Sequence, residues 1–88
     1  MEIEFDPRKA AANLRKHRVT FEEAASCLPD AHALVMEDER SESESRWILV
    51  GMSARARLLT VIHTLRGDNP RLISARKATT KEAKNHAT

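Results

Sequence analysis

The sequence is poor in aromatic residues and in cysteine. Phe5, Phe21 and Trp47 are its only aromatics, and tyrosine is absent. A platform that stacks several bases on aromatic rings is therefore not a basis for nucleic-acid binding here. Cys27 stands alone, so an intramolecular disulfide and a thiolate-rich zinc site are both excluded, and a reducing compartment fits. The four histidines are dispersed, with no H-x-x-x-H spacing, so no metal and no other cofactor is expected. No apolar run approaches the roughly 20 residues that a membrane span needs. The start Met1-Glu2-Ile3-Glu4 is acidic where a signal peptide would be basic. The expectation is a soluble, cytoplasmic protein with no membrane association.

What the sequence does have is charge, unevenly placed. Of its residues 41% are hydrophobic and 32% charged, the balance of a folded chain with a generously charged surface. Residues 1–45 carry a formal net charge of −5, whereas residues 46–88 carry +7. Clustered Lys and Arg release counterions from a phosphate backbone, so a polyanion is the natural partner of the second half. With 88 residues the chain makes one domain, 1–88, since single cores serve about 50 to 200 residues. So small a domain is marginally stable alone, which favours a macromolecular partner.

The pattern predicts the order β-α-α-β-β-β-β-α. Ile3 to Phe5 reads as an edge strand stopped by Asp6-Pro7. Asp6 is a good N-cap and Pro7 a good first residue for a helix running to His17 or Arg18. Thr20-Phe21-Glu22-Glu23 is a capping box for a second helix, ending near Cys27. Ala33 to Met36 reads as a strand, and the acidic serine-rich run Glu37 to Ser45 as a loop or turn. Arg46 to Met52, Arg57 to Leu65 and Arg71 to Ala75 then form a meander through the loops Ser53 to Ala56 and Gly67 to Pro70. Thr79-Thr80-Lys81-Glu82 is a second capping box, opening a short C-terminal helix. The fold class is α+β: an antiparallel sheet of four to five strands, with the segment from Arg57 in the centre and helices on one side.

Several of these residues resemble a known family. Phe5-Asp6-Pro7, Lys9, Asn13, Lys16-His17, Val19-Thr20-Phe21-Glu22-Glu23-Ala24, Arg46 before a strand, and Ile73-Ser74-Ala75-Arg76-Lys77-Ala78 with Glu82 are similar, in register, to the BrnT toxins. The resemblance implies a RelE-like fold and metal-independent endoribonuclease activity that arrests translation. It also implies a cognate BrnA-type antitoxin, with operator DNA bound only through the toxin–antitoxin complex. Two positions depart from the family pattern. Arg18 replaces the usual glycine after Lys-His, which should alter the turn between the helices or add a cation to it. His86 stands where a tyrosine is expected.

Metal-free RNA cleavage needs a base for the attacking ribose 2′-OH, an acid for the leaving 5′-oxygen, and cations around the phosphorane-like transition state. Arginine suits the last role through its bidentate fork. Arg46, Arg66 and Arg76 are expected at strand ends, where some of them could converge with Lys9, Lys16 or His17 around one phosphate; surface ion pairs with the acidic half are the alternative for each. His17 is the leading general acid or base, since imidazole exchanges protons near neutral pH; capping of helix carbonyls is the alternative. The candidate catalytic set is His17, Arg46, Arg66, Arg76 and His86, with Lys9, Lys16 and Lys77 as RNA-binding residues. Arg55, Arg57 and Arg71 read as generic surface or RNA-tracking charges, His63 as a packing residue, Trp47 as core or partner interface, and Cys27 as a small buried hydrophobe.

Overall fold

The structure is a computed structural model, described here for residues 2–39 and 45–86. The elements run β1 (Glu4–Phe5), α1 (Pro7–His17), α2 (Phe21–Ala25), β2 (Leu34–Asp38), β3 (Arg46–Met52), β4 (Leu58–Arg66), β5 (Asn69–Lys77) and α3 (Thr80–Asn85). They form one five-stranded sheet ordered β1-β5-β4-β3-β2. β2 to β5 pair antiparallel, as the short connections require, and β4 is central. β1 joins the far edge in parallel with β5, Glu4 opposite Arg71 and Phe5 opposite Leu72, so the sheet is mixed rather than purely antiparallel.

Strand alternation gives the sheet two unlike faces. Leu49, Leu59, Val61, Leu72 and Ala75 point to the first face and pack with Val19, Phe21, Ala24 and Cys27 from the helical segment. Phe5 meets Phe21 edge to face, ring centroids 5.4 Å apart. The intervening residues Ile48, Val50, Thr60, Ile62, Thr64, Ser74 and Arg76 point to the second face, where α3 covers Thr60 through Glu82.

α1 begins as the sequence indicates, with the Asp6 side chain accepting from Arg8 N and Pro7 in the first turn. It ends on Arg18 at φ 60°, ψ 32°, whose N–H bonds to Leu14 O at 2.9 Å. Arginine thus occupies the left-handed position that glycine fills without steric cost, and the turn survives the departure from the family pattern. Arg18→Gly is expected to raise stability by about 0.5–1 kcal/mol, because it removes the left-handed penalty at a larger unfolded-state entropy cost. An unchanged or lower urea midpoint would contradict this.

Asn13 is the buried pin between α1 and the sheet. Its amide donates to Val19 O at 3.0 Å and Ala75 O at 2.9 Å, and its oxygen accepts from Ala75 N at 3.0 Å. The side chain completes the β5 edge that β1, only two residues long, leaves open.

Strand bounds and register differ from expectation in places. β2 continues through Glu37 and Asp38, which lie opposite Trp47 and Arg46; the remainder of the acidic loop, residues 40–44, falls outside the described residues. Asn69 and Pro70 belong to β5 rather than to a loop, because Gly67 at φ 61° closes a two-residue turn with Asp68. Pro70 is tolerated because β1 begins to pair only at Arg71, so no ladder bond needs its missing N–H. The β4–β5 pairing also slips by one residue between Ile62 and His63, leaving Ile73 as an extra residue in β5.

Candidate nucleic-acid interface

Spacing along α1 collects one basic stripe. Lys9, Asn13, Lys16 and His17 follow the three- and four-residue steps of a single helix face. That face lies against the bulged part of β5, and Lys9, Ala12, Asn13, Lys16, His17, Ile73 and Ser74 line an open cleft of about 350 Å³. The bulge at Ile73 turns the strand there, while Asn13 holds α1 at a fixed distance from Ala75. Among the described residues no acidic side chain lines the cleft. Lys9, Lys16 and His17 make no ion pair among the described residues, so the two lysine ammonium groups are available to an anion and the His17 ring is open to the cleft.

The other sequence-indicated residues lie elsewhere. Arg76 shares the second face with Ser74, two positions away, but its guanidinium grips Glu82, with Nη1 2.8 Å from Oε1 and Nη2 3.0 Å from Oε2. Glu82 also accepts from Thr60 Oγ1 at 2.9 Å and from Thr79 N at 2.8 Å, completing the expected capping box. Above all, the Arg76 hydrogen bond holds the Glu82 carboxyl at about 2, against burial that pushes it up, and the pairing raises Arg76 in turn. The pair is electrically neutral and fastens α3 to the sheet, so Arg76 is not a free cation.

His86 is buried, and its Nε2 lies 2.9 Å from Asp30 Oδ2. Asp30 also accepts from Met52 N at 2.8 Å and His32 N at 3.0 Å. Those backbone bonds first, and His86 after them, hold its carboxyl at about 2. An ionised Asp30 requires Nε2 to donate, so His86 ties the end of α3 to the segment after α2. Neither His86 nor Lys77, exposed at the end of β5, lines the cleft. Arg46 and Arg66 sit toward the opposite end of the sheet from Arg76. Arg46 lies one position beyond the Trp47↔His63 pair, whereas Arg76 faces Thr60. None of the three arginines lines the cleft with Lys9, Lys16 and His17, and Arg46 and Arg66 do not meet Arg76, because their strands place them at two ends of one face.

Two residues read as routine in the sequence carry more. Glu23 does not close the expected capping box, although Thr20 Oγ1 accepts Glu23 N at 3.0 Å. Its buried carboxylate instead receives Arg57 Nε at 2.9 Å, Arg57 Nη2, and Ser53 Oγ at 2.7 Å. Arg57 is thus a partner of the core and not a generic surface charge, and its hydrogen bond, outweighing burial, holds Glu23 at about 2. Cys27 is buried as expected, and burial, then Glu23 and Asp30, push its thiol up to about 11. Burial also lowers the pKa of His63 in its packing position. Among the described residues no three of His, Cys, Asp and Glu group as metal ligands, and no helix is long and apolar enough to cross a membrane.

A small mixed sheet with two helices packed on one face, the first of them bearing a basic stripe beside β5, defines an α+β protein with an open basic cleft. The chain belongs to the BrnT family: residues 5–82 match the family model for the ribonuclease toxin BrnT of type II toxin–antitoxin systems. The matched segment contains every residue of the cleft and ends before His86. The crystal structure of the Brucella abortus ribonuclease toxin BrnT shares the fold, with a TM-score of 0.70 over 91% of this chain and 99% of that one at 24% sequence identity. A comparison with curated proteins gave no match.

Proposed function

We propose that this chain is a metal-independent endoribonuclease that arrests translation, and that the cleft between α1 and β5 takes the scissile phosphate. The observation that carries the reading is the set Lys9, Lys16 and His17 around an open cleft with no carboxylate in its lining. In this reaction His17 accepts the proton of a ribose 2′-OH as O2′ bonds to phosphorus. The P–O5′ bond breaks, and O5′ takes a proton from a lysine ammonium or from water. The products are a 2′,3′-cyclic phosphate and a 5′-OH. Lys9 and Lys16 face the charge that grows on the phosphoryl oxygens, where preorganised cations contribute most. Arg76 and His86 act through position: one fixes α3 on the sheet and the other fixes the end of α3 to Asp30.

The cognate inhibitor in this reading is a BrnA-type antitoxin, with operator DNA reached only through the complex, and the site of action is the cytoplasm. Induced expression without an antitoxin should stop protein synthesis and fragment cellular RNA. A Lys16→Ala/His17→Ala protein, accumulating to the same level, should do neither. Arrest that persists with the double variant would remove the cleft from the active site.

A further inference from the structure

The second face of the sheet carries three arginines, Arg46, Arg66 and Arg71, in and beside a row that ends on the carboxylates Asp38 and Glu4, and the cleft uses none of them. At its end, adjacent strands place Asp38, Arg46, Thr64, Arg71 and Glu4 side by side. In the strand register Asp38 stands opposite Arg46, Thr64 opposite Arg71, and Arg71 opposite Glu4. Arg66 extends the same face two positions beyond Thr64 on β4. Among the described residues Glu4 engages Arg71, at 3.8 Å, and neither Arg46 nor Arg66 has an ion-pair partner. Two polar atoms of the row, Arg46 Nε and Thr64 Oγ1, are buried without a hydrogen-bond partner. Folded proteins seldom leave such atoms unpaired.

The neighbouring row is apolar. Met36, Ile48 and Ile62 lie opposite one another across β2, β3 and β4, and Ser74 follows on β5 at the rim of the cleft. A line of guanidinium groups beside an aliphatic strip matches the two halves of a nucleotide, phosphate and base. The strip leads from that line to Ser74, and hence to Lys16 and His17. An acidic protein segment would be served by the arginines but would leave the strip without a role.

We propose that Arg46 and Arg66, with Arg71 beside them, form a second phosphate site that holds the RNA strand while a neighbouring phosphodiester occupies the α1–β5 cleft. The bases between the two sites lie on Ile48 and Ile62. This assignment rests on RNA being the substrate, and it makes Arg46 and Arg66 strand-holding groups outside the reacting centre.

The test uses a short single-stranded 2′-O-methyl RNA, which offers no free 2′-OH for attack, with the full chain and with Arg46→Gln/Arg66→Gln, whose side chains keep an apolar stem. The double variant should raise Kd about tenfold or more. It should also flatten the plot of log Kd against log salt by about 0.7 for each lost phosphate contact. With cleavable RNA, KM should rise while the single-turnover rate at saturation holds. Arg46→Lys/Arg66→Lys should restore the salt slope. A Kd and slope equal to those of the unaltered chain, at an unchanged thermal midpoint, would overturn the proposal. So would a fall in the saturated rate at unchanged KM, which would put the arginines in the chemistry, or a loss confined to binding of the antitoxin. If the chain cleaves no RNA, the cleft reading fails, and the Kd and salt slope still decide this one.

Discussion

Replacing His17 with alanine is expected to slow single-turnover RNA cleavage by about 10²- to 10⁴-fold, the usual worth of a positioned acid or base. His17 lies at the end of α1 on the cleft wall, and its side chain has no hydrogen-bond or ion-pair partner among the described residues. Its loss should therefore leave the thermal midpoint nearly unchanged, and this separates a chemical role from a structural one. Lys9→Ala and Lys16→Ala should each have smaller effects on the saturated rate and should weaken RNA binding, because each removes one of several cations. A His17→Ala rate within about threefold of the unaltered chain would assign proton transfer to another group.

Arg57→Ala is expected to cost about 3–5 kcal/mol, because it strands a buried carboxylate. Glu23 has only 4% of its side chain exposed, and Arg57 supplies two of its partners. Set against a total of about 5–15 kcal/mol for a domain, that loss should lower the thermal midpoint by more than about 12 °C. The charge pair itself is less valuable than its breakage suggests, so Glu23→Leu with Arg57→Met should recover most of the stability. Acid is the second readout. Glu23 is held at about 2 when folded against an ordinary value of 4.5. Its contribution is thus fully present above about pH 4.5 and is lost as pH falls toward 2. Asp30 and Glu82 are lowered in the same direction and add to the acid sensitivity. The double variant should lose less stability than the unaltered chain across that interval. An Arg57→Ala protein as stable as its parent at neutral pH would show that Glu23 is not held by Arg57.

The local grammar of the sequence was sufficient for the helices and the antiparallel order. Asp6-Pro7, Thr20 and the Thr79-to-Glu82 capping box act within one turn of the chain, and each appears where its chemistry places it. The parallel β1–β5 pair was not legible, because it joins the two ends of the fold with no connection to set its direction. The site divides in the same way. Lys9, Lys16 and His17 share a face by helical spacing alone, whereas Ser74 joins them only through a bulge that shifts the β4–β5 register. The arginines are instructive for the same reason. Arg46, Arg66 and Arg76 read alike as strand-end cations, but strand length and direction put two at one end of the second face and one at the other. Glu23 and Arg57 lie 34 residues apart, and only the packing of α2 against the β3–β4 turn turns a helix-cap residue and a surface charge into a buried pair.

The central claim, that this chain cuts RNA with its own side chains, is tested most directly with purified, antitoxin-free protein and a defined RNA in EDTA across about pH 5 to 9. The expected result is cleavage leaving 2′,3′-cyclic phosphate and 5′-OH ends, lost with His17→Ala. Intact RNA at every pH, from protein shown to be folded, would contradict it.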